Sequence, residues 1–331
     1  MRIFYKEKLP KGKRKIYFCG FKILSYTKKD KYYKIYAKRF KGLTEEEAKY
    51  ILEVQFEWAQ KRKPDIDNPQ TFSEKLQWMK LYYHNPLQTL CADKVKVRDY
   101  IKEKIGEEYL VPLIGVYDSA DDIDFSTLPD RFVMKVNWGS GQNIIVKDKS
   151  KLNIKDAKKR LKNWLKPESN HYYSGLEWVY KNIPPKIIIE EYLDSINNQA
   201  LDYKVMCFNG KPYYFWISNK NLDVQERSFY DMDWNMQDME LVEPHKIKAK
   251  QPVPKPENFE KMKELATILC KGFPHVRVDF YQTSDGSIKF GELTFISASG
   301  YSPWAPEGVD KMLGDLIDIE QLKREIKECN Y

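Results

Sequence analysis

Asp279 and Glu292 lie in two runs of alternating apolar and polar residues, VRVDFYQ and SIKFGELTF, on either side of Asp285-Gly286. An Asp-Gly pair between such runs favours a tight hairpin turn. Pairing about it sets Asp279 opposite Glu292, Arg277 opposite Thr294 and Val278 opposite Leu293. Like charges directly opposed weaken a sheet by about 0.2–1 kcal/mol, a cost that a cation between them removes. Oxygen donors without His or Cys suit Mg²⁺. The same pattern also reads as a solvated strand face in which Arg277 neutralises one acid.

Other residues with chemistry precede this hairpin. FVMKVNWGSGQNIIVKD, from Phe132, reads as a strand carrying Lys135, a turn with Gly139, Ser140 and Gly141, and a second strand from Ile144. Glycines let backbone N–H groups approach phosphate oxygens, and Lys135 would add a point charge. No Gly-Lys-Ser/Thr follows, so this is not a Walker loop, and an ordinary hairpin loop fits equally. KIIIEEYL, ending at Leu193, reads as a buried strand whose exit presents backbone groups of Glu191 and Leu193, with a carboxylate alongside, to a purine edge or ribose; a strand entering a solvated loop fits as well. Asp202 and Lys204 alternate with Tyr203 and Val205 and so share one strand face. Asp231-Met232-Asp233 is an acid-x-acid pair of the kind that holds a metal on a nucleotide sugar, and it carries the rival reading of a glycosyltransferase. His84, His171, His245 and His275 are isolated and read as structural or exposed, and no Ser/His or Cys/His nucleophilic constellation stands out.

In order and spacing these pieces resemble the ATP-grasp superfamily, and within it the teichuronopeptide-biosynthesis type found among bacterial surface-polysaccharide proteins. The resemblance runs from about Asn68 to Leu316 through NPQTFSEKLQWMKLY, ADKVKVRDYIKEKIGEEYLVPLIGVYDS, FVMKVNWGSGQNIIVKDKS, IIIEEYL, DYKVMCFNGKP, FYDMDWN, GFPHVRVDFY and FGELTF. It implies an α+β fold of two subdomains gripping ATP. Lys94 and Lys135 match the phosphate-binding lysines, and Gly139, Ser140 and Gly141 the loop that closes over the phosphates. Glu190, Glu191 and Leu193 match the adenine and ribose segment, with Asp202 beside it. Asp279 and Glu292 match the paired Mg²⁺ ligands, and Thr294 stands where most of the superfamily has a metal-binding Asn. Trp138 stands where related loops often carry His. Arg277 and Lys204 are the cations expected at the substrate carboxylate or transferred phosphoryl. The implied reaction is ATP- and Mg²⁺-dependent joining of a carboxylate to an amine through an acyl phosphate. Its partners would be a carboxylate-bearing glycan or sugar precursor and an amine or amino acid.

The elements that must position these residues follow from periodicity. Thr44 and Glu47 form a capping box opening a helix that stops at Pro64. Further helices are expected from about Ser73 to Tyr83, from about Leu90 to Lys104 with Lys94 near its start, behind Asn153 with Ile154, Ala157, Leu161 and Leu165 on one face, and from Asn258 to Cys270. Asn209-Gly210 turns a second hairpin, and the polar stretch from Asp231 to Pro256 reads as loop-rich. This divides the chain into a basic segment over residues 1–42, a helical region over 43–118 and an ATP-grasp core over 119–331, with nucleotide-closing and metal subdomains meeting near residue 195.

The chain has 331 residues, 42% of them hydrophobic and 14% aromatic, too rich in core formers for disorder. Cys19, Cys91, Cys207, Cys270 and Cys329 lack metal or redox spacing and read as reduced thiols of a cytoplasmic protein. No apolar run reaches the ~20 residues of a membrane span. The net charge of +8 conceals a division: residues 1–41 hold fifteen Lys/Arg against Glu7 and Asp30, a balance of +13, interleaved with ten aromatics. Such a segment is expected to dock on an anionic membrane surface at the inner face of the bacterial membrane. Nucleic acid is not the expected partner, because no binding motif accompanies the charge.

Overall fold

The computed structural model describes residues 4–8, 13–18, 21–194, 201–219 and 225–329. The chain divides into two compact units, Met1–Pro64 and Asp65–Tyr331. In the first, strands Phe4–Lys8, Lys13–Phe18 and Phe21–Thr27 form an antiparallel meander. The helix Lys28–Tyr36 follows, then Glu45–Gln60, opened by the Thr44/Glu47 capping box. That helix ends before Pro64, because Lys61 turns left-handed at φ 59°. Gln55 Nε2 donates to the Tyr32 hydroxyl at 2.9 Å, tying the two helices.

The second unit holds two larger sheets. Leu113–Tyr117, Ile187–Glu191, Phe132–Val136 and Asn143–Val146 form a four-stranded antiparallel sheet in that spatial order. A seven-stranded sheet runs Met236–Gln237, Gln225–Tyr230, Lys211–Asn219, Leu201–Phe208, His275–Gln282, Ile288–Thr294, with Lys246–Lys248 alongside Gln225–Tyr230. Helices and antiparallel sheets together make the α+β fold. The helix Phe259–Leu269 covers one face of the larger sheet, where Val205, Phe215, Ile217, Val276 and Val278 are buried with Met262, Leu265 and Leu269. Phe215 and Phe259 meet at 4.7 Å between ring centroids. Burying side chains of this size contributes about 1.5–3 kcal/mol each. With one face closed, the strands' polar alternates are left for the opposite face.

Two turns show how local chemistry sets the register. Asn209 and Gly210, both left-handed at φ 47° and 71°, join Leu201–Phe208 to Lys211–Asn219, as a two-residue turn requires. At the other hairpin the expected pairs Arg277–Thr294, Val278–Leu293 and Asp279–Glu292 form, but a bulge then sets Phe280 opposite Phe290. Gly291 is the extra residue. A Cβ there would lie 3.0 Å from the Asp279 carbonyl oxygen. The bulge lengthens the turn beyond Asp285-Gly286: Thr283 N–H donates to Ser287 O, and the Asp285 carboxylate accepts from Thr283 Oγ1 and Ser287 N.

Helix boundaries differ from the periodic reading in one place that matters for the site. Residues 90–104 are not one helix; Pro86–Ala92 and Val97–Lys104 are separated by a turn holding Lys94. Asp93 breaks the helix, its Oδ1 accepting from Val95 N and Asn137 Nδ2, both at 2.9 Å. The helix Ile154–Trp164 is capped by Asn153 as expected, yet Ile154 is exposed and only Ala157 and Leu161 are buried.

Candidate functional site

The open face of the larger sheet carries a row of charge. Lys204, Asp279 and Glu292 stand side by side on three adjacent strands, and Trp216 continues the row. Arg277 Nε donates to Asp279 Oδ1 at 2.6 Å, and its Nη2 reaches Asp279 Oδ2 at 2.7 Å, Glu292 Oε1 at 3.1 Å and Thr294 Oγ1 at 3.0 Å. Lys204 Nζ lies 2.5 Å from Asp279 Oδ2 and 3.6 Å from Asp202 Oδ2. The Arg277 guanidinium also lies 5.2 Å from the Trp216 ring centroid, within cation–π range.

This geometry separates the two acids. Asp279 is buried, with both oxygens engaged by Arg277 and Lys204. Glu292 keeps 29% of its side chain exposed, and Lys94 Nζ is 3.6 Å from its Oε2. Burial works to raise the Glu292 carboxyl, but Lys94, Arg277 and Lys204 together hold it down at about 2. Burial likewise opposes the Arg277 charge, and Asp279 and Glu292 outweigh it, raising its pKa above the ordinary arginine value. The described groups here that could ligate a metal are all oxygens, with no His or Cys beside them. Mg²⁺ commonly takes one or two carboxylates and completes its shell with water and phosphate oxygens, so the set fits Mg²⁺ from the Glu292 side. Among the described residues no group of three or more His, Cys, Asp or Glu could hold a metal by itself. The Thr294 hydroxyl donates to Glu292 Oε1 at 3.0 Å and so tethers that carboxylate.

A small cavity adjoins Glu292 and is lined by Lys94, Arg98, Lys135, Tyr180 and Glu190, with Val97, Leu110 and Phe290 among its apolar walls. Lys94 enters it because Asp93 breaks the helix. Its Nζ donates to Gly139 O at 2.8 Å, and burial pushes its pKa below the usual lysine range, with Glu292 pulling the other way. Lys135 pairs with Glu190 at 2.5 Å. Arg98 pairs with the other Glu190 oxygen at 3.0 Å and donates to Val111 O at 2.9 Å. The Glu190 carboxylate is thus committed to two cations, where the resemblance implies an adenine or ribose contact. Glu191 points outward, its N–H donating to Pro112 O at 3.0 Å; Leu193 is half-buried. Neither these two, nor Asp202, nor Gly139, Ser140 and Gly141 line this cavity.

The glycine loop lies against residues 164–171. Trp138 is buried and donates through Nε1 to Trp164 O at 3.1 Å, so it anchors the loop. The imidazole at the loop is that of His171, whose Nε2 accepts from Ser140 N at 3.2 Å. His171 is therefore not isolated. His84 stacks on Trp178, and His275 is buried against Phe72 and Phe208, its pKa lowered by burial to about 3. Beyond Thr294 the chain makes a turn over Ser297–Gly300 in which Ala298, Ser299 and Gly300 are all left-handed. Lys80 is buried beneath it, donating to Ser299 O at 2.7 Å, Ser299 Oγ at 3.1 Å and Gln77 Oε1 at 3.0 Å. The acid pair at Asp231-Met232-Asp233 is something else: Asp231 accepts from the backbone N–H groups of Asp233 and Asn235 and from the Asn235 and Gln237 amides. Asp231 holds its own turn, which removes the residue support for a glycosyltransferase.

The chain matches the TupA-like ATP-grasp family over residues 74–318, about three quarters of its length. It belongs to the TupA-like ATP-grasp family. No curated protein matches the chain. Among solved structures it is similar to D-alanine–D-alanine ligase from Bacillus anthracis complexed with ATP, at 17% identity and TM-score 0.42, covering 72% of this chain and 68% of that one. D-alanine–D-alanine ligase from Coxiella burnetii shares 13% identity at TM-score 0.42, covering 78% and 68%. L-amino acid ligase from Bacillus licheniformis shares 12% at TM-score 0.35, and the chain spans 42% of its length. The charged row and the cavity of this ATP-grasp chain both lie within the matched residues. Arg98, Tyr180, Lys80 and the His171 contact are its own additions to the residues read from sequence. Arg98 had a signal, since it follows Lys94 by four residues. The others come together only through the fold.

Proposed function

We propose that this chain is an ATP- and Mg²⁺-dependent carboxylate–amine ligase. The observation that carries the reading is Glu292: a partly exposed carboxylate held ionised by Lys94, Arg277 and Lys204, facing Asp279 and bordering a cavity with two further cations. Lys94 and Lys135 would offset charge on the phosphate chain in that cavity. Glu292, with Asp279 beside it, would hold Mg²⁺, which would supply positive charge to offset the phosphate chain. Arg277 would orient the substrate carboxylate as it attacks the terminal phosphorus, giving an acyl phosphate and ADP. An amine then attacks the acyl carbon and phosphate leaves. Lys204 would hold Asp279 in place beside it.

The finer reading is that the carboxylate belongs to a uronic-acid-containing cell-surface polysaccharide or its precursor, and the amine to an amino acid. The sequence resemblance supports it. Incubating the protein with ATP, Mg²⁺, amino acids and uronic-acid oligosaccharides should give ADP, phosphate and an amide-linked product by mass spectrometry. Transfer from a nucleotide sugar without ATP hydrolysis would overturn the ligase reading.

Docking of the first unit on anionic membrane belongs to the same proposal. Its support is the +13 balance of residues 1–41, together with exposed Tyr33, Phe40 and Trp58. Most aromatics of that segment, from Phe4 to Tyr26, have side chains outside the described residues. Among the described residues no helix is long and apolar enough to cross a membrane. Sedimentation with phosphatidylglycerol vesicles should be strong at low salt and fall steeply as salt rises. Salt-independent sedimentation would remove the electrostatic docking.

A further inference from the structure

The glycine loop is held at three places. Trp138 Nε1 fixes its start to Trp164 O, Lys94 Nζ holds Gly139 O, and Gln142 Nε2 fixes its end to Ser169 O at 2.9 Å. Its tip has a different partner. The Ser140 N–H, on an exposed residue, donates to the Nε2 lone pair of His171 at 3.2 Å. An imidazole accepts through Nε2 only with its proton on Nδ1. The buried Glu177 carboxylate, 3.6 Å from Nδ1, favours that tautomer.

Glu177 follows a closely packed stretch of chain. Gly175, two residues before it, packs so tightly on the Ser297–Gly300 turn that a Cβ would lie 2.5 Å from Ser299 Oγ. Lys80 grips the same Ser299 from below. His171 is therefore set by the turn that follows the Glu292 strand, and through it the tip of the glycine loop is set as well.

The Ser140 amide is the donor that a terminal phosphate oxygen would need from this loop. A hydrogen bond to an anionic oxygen is about twice as strong as one between neutral groups, so a phosphate outcompetes the imidazole. We propose that His171 is a positioning residue: it holds the Ser140 N–H in line until the phosphate chain arrives, and then yields that donor to a phosphate oxygen. The phosphate half of this handover rests on the ligase reading above; the His171 half does not.

The test is the water-exchange rate of the Ser140 amide, measured by nuclear magnetic resonance on the full chain. Without nucleotide, His171→Ala should speed exchange about fivefold, the worth of one ordinary hydrogen bond. His171→Gln should restore slow exchange, because its Oε1 can accept. Saturating Mg²⁺ and ATP should bring all three proteins to the same slow rate, whereas AMP, which lacks the outer phosphates, should leave the difference in place. Equal exchange in the wild-type and His171→Ala proteins without nucleotide would overturn the role of His171. A difference that persists under ATP would overturn the handover. Calorimetric titration with ATP separates the two readings: no ATP binding would sink the ligase and the handover together, while the nucleotide-free comparison would still decide whether His171 holds Ser140.

Discussion

Among the described residues, Asp231–Asp233 and Asp279–Glu292 are both close pairs of acids, and the second faces the candidate site. Asp231 and Asp233 are neighbours in sequence, and Asp231 is satisfied by amides within six residues of it. Asp279 and Glu292 are brought together by strand register, and their oxygens are met by cations from other places in the chain: Lys94 in a helix break, Lys204 on the adjacent strand, Arg277 on their own ladder. An acid compensated by its own backbone shapes a turn. An acid compensated by distant cations has charge partners that a ligand can rearrange, and Glu292 is the one left partly open.

The sharpest way to break this contrast is to neutralise each pair in turn. Asp279→Asn or Glu292→Gln should lower ATP turnover by about 10²–10³-fold, the scale of losing one charge-stabilising group in a site, and coupled ADP release would read it. Asp231→Asn should leave turnover per folded molecule unchanged. Full activity in both hairpin variants would erase the distinction.

Lys94→Ala and Lys135→Ala should each raise the KM for ATP about tenfold, about 1.4 kcal/mol of lost phosphate contact. Lys135→Ala is the more informative of the two. It also leaves Glu190 with Arg98 as its remaining cation, so adding Glu190→Gln should recover part of the stability lost.

Asp231→Ala should cost about 1–3 kcal/mol of stability, since it leaves several donors without an acceptor. Thermal unfolding would show the loss, with kinetics unmoved. Asp279→Asn should also lose stability, because it leaves the buried Arg277 guanidinium without its main anionic partner.

The smallest effect is a pH dependence. The folded-state carboxyl of Glu292 lies at about 2, below its ordinary value of 4.5, so the unfolded chain binds its proton first as pH falls. Its contribution to stability is complete above about pH 4.5 and is lost on descending toward 2. The stability difference between wild type and Glu292→Gln should therefore shrink across that window. A constant difference would mean that the three cations do not act on Glu292 as their placement implies.

How legible these features were follows from what each depends on. The Asp279–Glu292 register could be read because strand alternation has period two and the hairpin is local. The turn itself was misread, since one extra glycine in a strand leaves alternation almost unchanged. Lys94 was legible as a cation and not as a placement, because the helix break depends on Asp93 meeting Asn137 from another element. Glu190 looked free because its cations, Arg98 and Lys135, come from elsewhere in the chain. His171 carried no signal at all: its partner Ser140 is on another loop, and only tertiary packing joins them.

The bulge at Gly291 has a consequence for how this protein can change. It lies between the charged row and the turn at residues 283–287, so it works as an expansion joint. Residues lost or gained at the turn can be absorbed there, while Asp279 and Glu292 stay in step with the cations around them. The turn is therefore a place where an engineer can insert a tag or a second domain, with the charged row left in register.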